Sequence, residues 1–284
     1  MNSWNQLLLC YPQLQLPIRA GMKDSTLYQD VVLSGAPIPG EERRPFAAEG
    51  ELSVVTTPAG PAQILRLTRR EDFERALRAL AYRCEPEAIP ASVGASTVRG
   101  LINWRKINEH KAAYLACGGE DWQKEFRRFT ADRKNYRDTL ILLSTGEYSA
   151  VKAEEIGLSA GDWLEKSLCI RKYHELTHFI CRELYPGDVD AIRDEVLADL
   201  IGLVAAFGRY DPALARRFLG IADGAYREGG RLSHYAREGA LAETVHRADR
   251  LIDAYGAQVP AAPEGDVFDL LLRLFAAGPH VQGR

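Results

Sequence analysis

Two histidines four positions apart carry the clearest chemical signal in this sequence. Residues 174–178 read His-Glu-Leu-Thr-His, so that Glu175 stands directly after His174 and three positions before His178. In an α-helix, side chains at this spacing lie on one face about one turn apart, and the two imidazoles can bind one metal ion. Glu175 could then accept a proton from a water molecule that the metal activates. The motif predicts a hydrolytic zinc site; the alternative is a helical histidine pair that binds no metal.

A short helix break follows this motif. Residues 185–188 read Tyr-Pro-Gly-Asp, in which Gly187 is suited to end one helix and Asp188 to cap the next. Proline and glycine interrupt helical hydrogen bonding, so the chain can turn back on itself at this point. The sequence therefore predicts an antiparallel pair of helices joined around residues 186 and 187.

Two carboxylates on the second helix face the histidines in this arrangement. When residues are paired outward from the break, Glu195 faces His178 and Asp199 faces His174. Glu195 would supply a third ligand, and Asp199 could accept the free ring N–H of His174. Between residues 196 and 208 the only charged residue is Asp199, which indicates a buried helix. A buried carboxylate needs a hydrogen-bond donor or a metal ion nearby.

The two motifs together resemble those of the thermolysin-like gluzincin metallopeptidases, in which His-Glu-x-x-His is followed by Glu-x-x-x-Asp on the next active-site helix. The resemblance implies a Zn²⁺ ion bound by His174, His178 and Glu195. It also implies that Glu175 is the general base and that Asp199 orients His174. Metal-assisted peptide hydrolysis is the activity expected of such a site.

The resemblance extends over roughly residues 139–208 and includes a strand before the first metal helix. Residues 139–144 read as a buried strand, with residues 146–151 continuing it or turning back. In zincin-like peptidases an edge strand pairs with the substrate backbone. By resemblance this role falls to the segment from Gly146 to Ala150; an interior strand is the alternative.

The whole pattern predicts an α+β, zincin-like fold. A small mixed or antiparallel sheet precedes a mainly helical C-terminal half that contains the active-site helix hairpin. We expect an N-terminal α+β region over residues 1–96 and a metallopeptidase domain over residues 97–284. Strands are predicted at residues 28–33, 51–57 and 63–68, the last two forming a hairpin. Helices are predicted at residues 68–83 (opened by a capping box from Thr68 to Glu71), 97–116, 121–134, 211–222, 233–255 and 266–277.

Peptide hydrolysis by this route also needs a donor for the developing oxyanion. The downstream candidates are His234 and Tyr235, with Tyr210 and His246 behind them; the alternative is that these are ordinary surface or packing residues. Two arginines could hold a substrate carboxylate, namely Arg231 and Arg237.

Composition narrows the class of protein. A net charge of −3 over 284 residues argues against general nucleic-acid binding. The N-terminal segment lacks the pattern of a signal peptide and no stretch has the length of a membrane span, so we expect a cytoplasmic protein without membrane partners. The five scattered cysteines fit reduced thiols. Cys181 shares a helix face with the histidines, where a packed thiol is favoured over a ligand.

Two functions from different classes follow. The first is a zinc-dependent metallopeptidase that acts on a specific intracellular peptide or protein. The second is a zinc-binding interaction or sensor module that is catalytically silent. Glu175 favours the peptidase, because a purely structural zinc site has no use for a base at that position.

Overall fold

The computed structural model describes residues 3–188, 190–228 and 230–278, which form an α+β fold divided into two compact units. Residues 97–142 belong to the first unit, whereas the sequence prediction assigned them to the second domain. The first unit contains the described parts of Met1–Val54, Gln63–Ile89 and Ser96–Leu142, and the second those of Val55–Ala62, Pro90–Ala95 and Leu143–Arg284.

A small mixed sheet is formed by four strands in the order β1-β2-β4-β3. These are β1 (Gly50–Thr57), β2 (Gly60–Leu67), β3 (Ala95–Ile102) and β4 (Arg137–Ser144). The predicted hairpin is confirmed as β1 and β2. The apolar centre of β4, residues 140–143, is fully buried because β4 has a neighbouring strand on each side.

The helices of the first unit differ from the prediction at several points. They are α1 (Ser3–Cys10), α2 (Thr26–Tyr28), α3 (Arg70–Leu80), α4 (Trp104–Ala116) and α5 (Trp122–Thr130). The strand predicted at residues 28–33 is wrong, because α2 continues there as a π-helical turn over Gln29–Leu33. Tyr28, Val31 and Val32 are buried at helical spacing, not at the alternate positions of a strand.

Two predicted helix starts in this unit are also wrong. Residues 95–102 form β3, and α4 begins only after Asn103, whose side chain accepts from the Lys106 N–H. The N-cap of α3 is Arg69, not the predicted Thr68, whose hydroxyl donates to the Glu49 carbonyl across the hairpin. The residues at which α3 and α4 begin are therefore set by hydrogen bonding in the sheet, which overrides the local helical pattern.

The second unit is mainly helical and contains the predicted helix pair. Its helices are α6 (Ala160–Leu184), α7 (Ala191–Phe207), α8 (Pro212–Leu219), α9 (Leu241–Gly256) and α10 (Val267–Ala277). A two-stranded ribbon, β5 (Ile221–Ala222) and β6 (Ala225–Tyr226), lies between α8 and α9. The starts of α8 and α10 are as predicted, with Asp211 and Asp266 as caps. The predicted helix at residues 233–255 begins late, since residues 231–234 form a separate 3-10 turn.

Helices α6 and α7 form an antiparallel pair in close contact. A Cβ atom at Gly202 of α7 would lie 2.9 Å from the carbonyl oxygen of Ile170 on α6. Asp190, not Asp188, caps α7, and Tyr185, not Gly187, ends α6. The break is thus where the sequence predicts it, although different residues form the caps.

The segment that joins β4 to α6 is not a strand, so the substrate-pairing edge strand predicted around Gly146 to Ala150 is wrong. Residues 148–150 form a 3-10 turn, and Ser149 and Ala150 have φ angles of 52° and 57°, in the left-handed region and not in the β region. Arg171 fixes the start of this turn, because its guanidinium donates to the carbonyl oxygens of Gly146 and Glu147 over 2.5 Å each. Along the part of the chain that the structure describes, no helix combines the length and the apolar character needed to cross a membrane.

Candidate metal centre

Three side chains from α6 and α7 meet at one point. His178 Nε2 lies 3.0 Å from His174 Nε2 and 3.1 Å from Glu195 Oε1. His174 Nε2 lies 3.5 Å from Glu195 Oε2. His174 and Glu195 are buried, while His178 is partly exposed, so the cluster can be reached from one side. The three side chains form a group that could hold a metal ion.

The spacing of these atoms fits a tetrahedral ion. Ligand atoms about 2.0 to 2.2 Å from a tetrahedral zinc ion lie about 3.3 to 3.6 Å from one another. The separations of 3.0, 3.1 and 3.5 Å are close to this range, and the two that involve Glu195 end on different oxygens of its carboxylate. Glu195 Oε2 is buried without a hydrogen-bond partner among the described residues, and Arg231 Nη2 lies 3.8 Å from it as an ion-pair partner. Two imidazoles and one carboxylate also leave a fourth position open, as catalytic zinc sites do.

The far nitrogen of His174 is held by a carboxylate. His174 Nδ1 lies 2.9 Å from Asp199 Oδ1, and Asp199 is fully buried. Donation from Nδ1 leaves the lone pair of Nε2 free to bind a cation. The two contacts, His174 with Asp199 and His178 with Glu195, are the pairs that the antiparallel register predicts.

Two further residues hold Asp199, and sequence reasoning did not assign them this role. The Tyr148 hydroxyl donates to Asp199 Oδ1 over 2.6 Å and lies 3.0 Å from His174 Nδ1. Arg231 donates from Nη1 to the Tyr148 hydroxyl over 2.7 Å and from Nη2 to Asp199 Oδ2 over 2.5 Å. Together these side chains satisfy both oxygens of the buried carboxylate.

The electrostatics keep both carboxylates of the site ionised. Burial by itself would raise the pKa of Asp199, but Arg231 and His174 lower it below its usual value. Burial likewise opposes ionisation of Glu195, whereas His178 and His174 hold the pKa of that carboxyl well below its usual range. Burial raises the pKa of Tyr148, so its phenol stays protonated and can donate to Asp199.

Glu175 is buried beside the cluster. Only 8% of its surface is exposed. Burial would lower the pKa of His178, but the charges of Glu195, Glu175 and Asp194 raise it above its usual value. The influence of Glu175 on the pKa of His178 indicates that its carboxylate lies near the three candidate metal ligands His174, His178 and Glu195, which together form the metal cluster.

The two candidates for the oxyanion donor differ in position. His234 is exposed at the end of its 3-10 turn. Tyr235 is partly buried, and its pKa is raised by burial and by the nearby negative charge of Glu195. Of the pair, Tyr235 is the residue that the structure brings to the metal cluster.

The remaining candidates lie elsewhere or serve other contacts. The Arg231 guanidinium is engaged by Asp199 and Tyr148, which leaves it poorly placed to hold a substrate carboxylate. Arg237 and His246 are exposed. Cys181 is buried, and burial raises the pKa of its thiol to about 12, which fits the packed thiol and not a metal ligand.

Sequence reasoning missed Tyr148 because this residue lies in the segment interpreted as a strand. The only available signal was that Asp199 needs a buried donor, and many residues of the chain could meet that need. From the sequence, Arg231 was considered for binding a substrate carboxylate. Arg231 lies 32 positions from Asp199, so the sequence gave no indication that the two side chains are in contact.

Comparison with known proteins places the chain in one family. A family model described as a family of unknown function (DUF7005) matches residues 1–260, and the chain belongs to this family. No curated protein and no solved structure matches it significantly.

Proposed function

We propose that this DUF7005 protein is a zinc-dependent metallopeptidase that hydrolyses a specific intracellular peptide or protein. The observation that carries the proposal is the convergence of His174 Nε2, His178 Nε2 and the two carboxylate oxygens of Glu195, with separations of 3.0 to 3.5 Å that are close to those around tetrahedral zinc. Two imidazole lone pairs directed at each other repel unless a proton or a cation lies between them. The donor set and the burial of Glu195 favour a divalent cation.

The metal ion and the surrounding residues would each contribute to a different part of the hydrolysis. A zinc ion held by the three ligands would supply Lewis acidity and lower the pKa of water towards neutrality. Glu175 would accept the proton and deliver it to the leaving amine. Tyr235, protonated at neutral pH, would be the donor to the developing oxyanion, with His234 as the exposed alternative.

Metal content and turnover test the two parts of this proposal separately. Purified wild-type protein should carry about one equivalent of zinc, and His178→Ala should lose most of it because a three-ligand site cannot retain zinc well with two. Glu175→Gln should keep the metal while cleavage of a peptide library derived from cell extract falls at least about a hundredfold. Glu165→Gln, at an exposed position of the same helix, is the matched control for the substitution.

The outcomes of these experiments distinguish a peptidase from a catalytically silent zinc-binding module. Metal binding by the wild type with no cleavage of library peptides would support a zinc-binding interaction or sensor module. Full metal retention in His178→Ala would remove the basis of both functions.

A further inference from the structure

A cavity of about 520 Å³ lies within the first unit, separate from the metal cluster. One wall is the strand β3, of which all seven residues from Ser96 to Ile102 contribute to the lining. The opposite wall includes Tyr28, Val32 and Leu33 from the helical segment after Ser25. The volume is in the range of small-molecule sites.

The charged residues that line this cavity are all cationic. They are Lys23, Arg83, Arg99 and Arg137. Among the residues that the structure describes, no aspartate or glutamate lines the cavity, although the net charge of the whole chain is −3. Like charges gathered around a concavity create a potential that attracts anions. Arg137 is held in place, because its Nη1 donates to the Gly100 carbonyl over 3.0 Å.

One carboxylate close to Lys23 offsets part of this charge. Glu85 lies beside Lys23, and its carboxylate accepts the backbone N–H groups of Gly21 and Lys23 at 3.0 and 2.9 Å. These bonds hold the carboxylate on the backbone of residues 21 to 23 and lower the pKa of Glu85. The side chains of Lys23 and Arg83 are both exposed, so they are available to an incoming anion.

The backbone that carries Arg83 is strained. Arg83 and Cys84 have φ angles of 52° and 64°, in the left-handed region that residues with a side chain rarely adopt. The Cys84 N–H donates to the Arg78 carbonyl, and its thiol donates to the Gln13 carbonyl, so α3 and the N-terminal segment hold the turn. Strain of this kind concentrates at binding sites, and here it directs an arginine to the rim of the cavity.

We propose that this cavity binds a small-molecule anion that carries a phosphate or at least two carboxylates. Guanidinium groups bind both kinds of oxyanion with paired, charge-assisted hydrogen bonds. The apolar side chains of Val32, Leu101 and Ile102 offer a surface for the carbon skeleton. The site is independent of the proposed peptidase activity, because its residues and those of the metal cluster are different.

Calorimetric titration of the full chain at low salt tests the proposal with two probes. Ribose 5-phosphate represents the phosphate source and citrate the carboxylate source, with neutral ribose as the control. We expect one of the two anions to bind one to one and ribose not to bind. Arg83→Gln and Lys23→Gln should each weaken binding by about tenfold, the loss of one charge-assisted contact. Arg127→Gln and Lys124→Gln, which are exposed in the same unit and do not line the cavity, should leave it unchanged.

Unchanged binding in both Arg83→Gln and Lys23→Gln would contradict the proposal, because these are exposed cationic residues that line the cavity.

The remaining outcomes also decide against it. Citrate and phosphates bind metals, so His178→Ala is titrated in parallel. Loss of binding in His178→Ala with full binding in Arg83→Gln would place the anion at the metal cluster. Equal weakening by Arg83→Gln and Arg127→Gln would show unspecific attraction, and a Kd above about 10 mM for both probes would show that the cavity is not an anion site.

Discussion

Arg231 and Asp199 form a buried ion pair, in which the guanidinium Nη2 donates to Asp199 Oδ2 over 2.5 Å. Asp199 is fully buried and only 13% of the Arg231 side chain is exposed, so each charge depends on the other for solvation. The same carboxylate holds His174, one of the three proposed zinc ligands. The pair therefore connects the segment after β6 to the metal cluster.

Replacing Arg231 should affect both folding and metal binding. Arg231→Gln leaves Asp199 with an uncompensated buried charge, and we expect the free energy of unfolding of the metal-free protein to fall by about 3 to 5 kcal/mol. Zinc affinity should fall as well, because Asp199 orients His174 less firmly. Urea unfolding and competitive zinc titration measure the two effects. Arg237→Gln, an exposed neighbour, should change neither, and equal behaviour of the two variants would refute a role for the ion pair.

Tyr148 should act through its hydroxyl alone. Tyr148→Phe keeps the packed ring but removes the donor to Asp199 and the acceptor for Arg231, at a cost of about 1.5 to 3 kcal/mol in stability. Zinc affinity should fall by roughly tenfold or more, because Tyr148 holds Asp199, which orients the proposed zinc ligand His174. Tyr82→Phe, at an exposed position, serves as control in the same titration. Wild-type zinc affinity in Tyr148→Phe would show that Arg231 alone suffices to hold Asp199.

Gly202 should be intolerant of any side chain. A Cβ at this position would approach the Ile170 carbonyl to 2.9 Å, so Gly202→Ala must move α6 and α7 apart and disturb the facing ligands. We expect lower stability and weaker zinc binding, even though alanine favours helices over glycine by about 1 kcal/mol. Gly161→Ala, with no atom nearer than 4.0 Å, should be neutral or stabilising in thermal unfolding. A stable Gly202→Ala with normal zinc affinity would mean that the helix pair tolerates a wider spacing.

The first unit should lose part of its stability in acid through Glu125. Hydrogen bonds from Arg128 and His110 lower the pKa of Glu125 to about 2, below its ordinary value of 4.5. A carboxyl whose pKa is depressed by folding stabilises the protein above its unfolded pKa, and this contribution disappears as pH falls through the folded pKa. The stability difference between wild type and Glu125→Gln should therefore be present at about pH 5 and shrink between pH 4.5 and pH 2. Urea unfolding over this pH range measures the stability difference, with Glu120→Gln at an exposed position as the control. A difference that does not change with pH would contradict the lowered pKa of Glu125.

Local periodicity was enough to predict the arrangement of the metal cluster. The spacing of His174 and His178 defines one helix face, and the break at Pro186 lies midway between the facing pairs, so the contacts with Glu195 and Asp199 follow from helix geometry alone. The β1 and β2 hairpin was predictable for the same reason, because a short turn brings neighbouring residues together.

Tertiary structure determined the features that local sequence patterns could not predict. Residues 97–102 have a sequence that can continue into the following helix, yet they form β3 because pairing with β4 satisfies their backbone groups in the sheet. Tyr148 and Arg231 reach Asp199 from 51 positions before and 32 positions after it. Contacts over such distances depend on how whole elements pack, and no periodicity within a helix or strand encodes them. The sequence by itself determined which residues could bind a metal, whereas the packed fold determined which residues hold them in position.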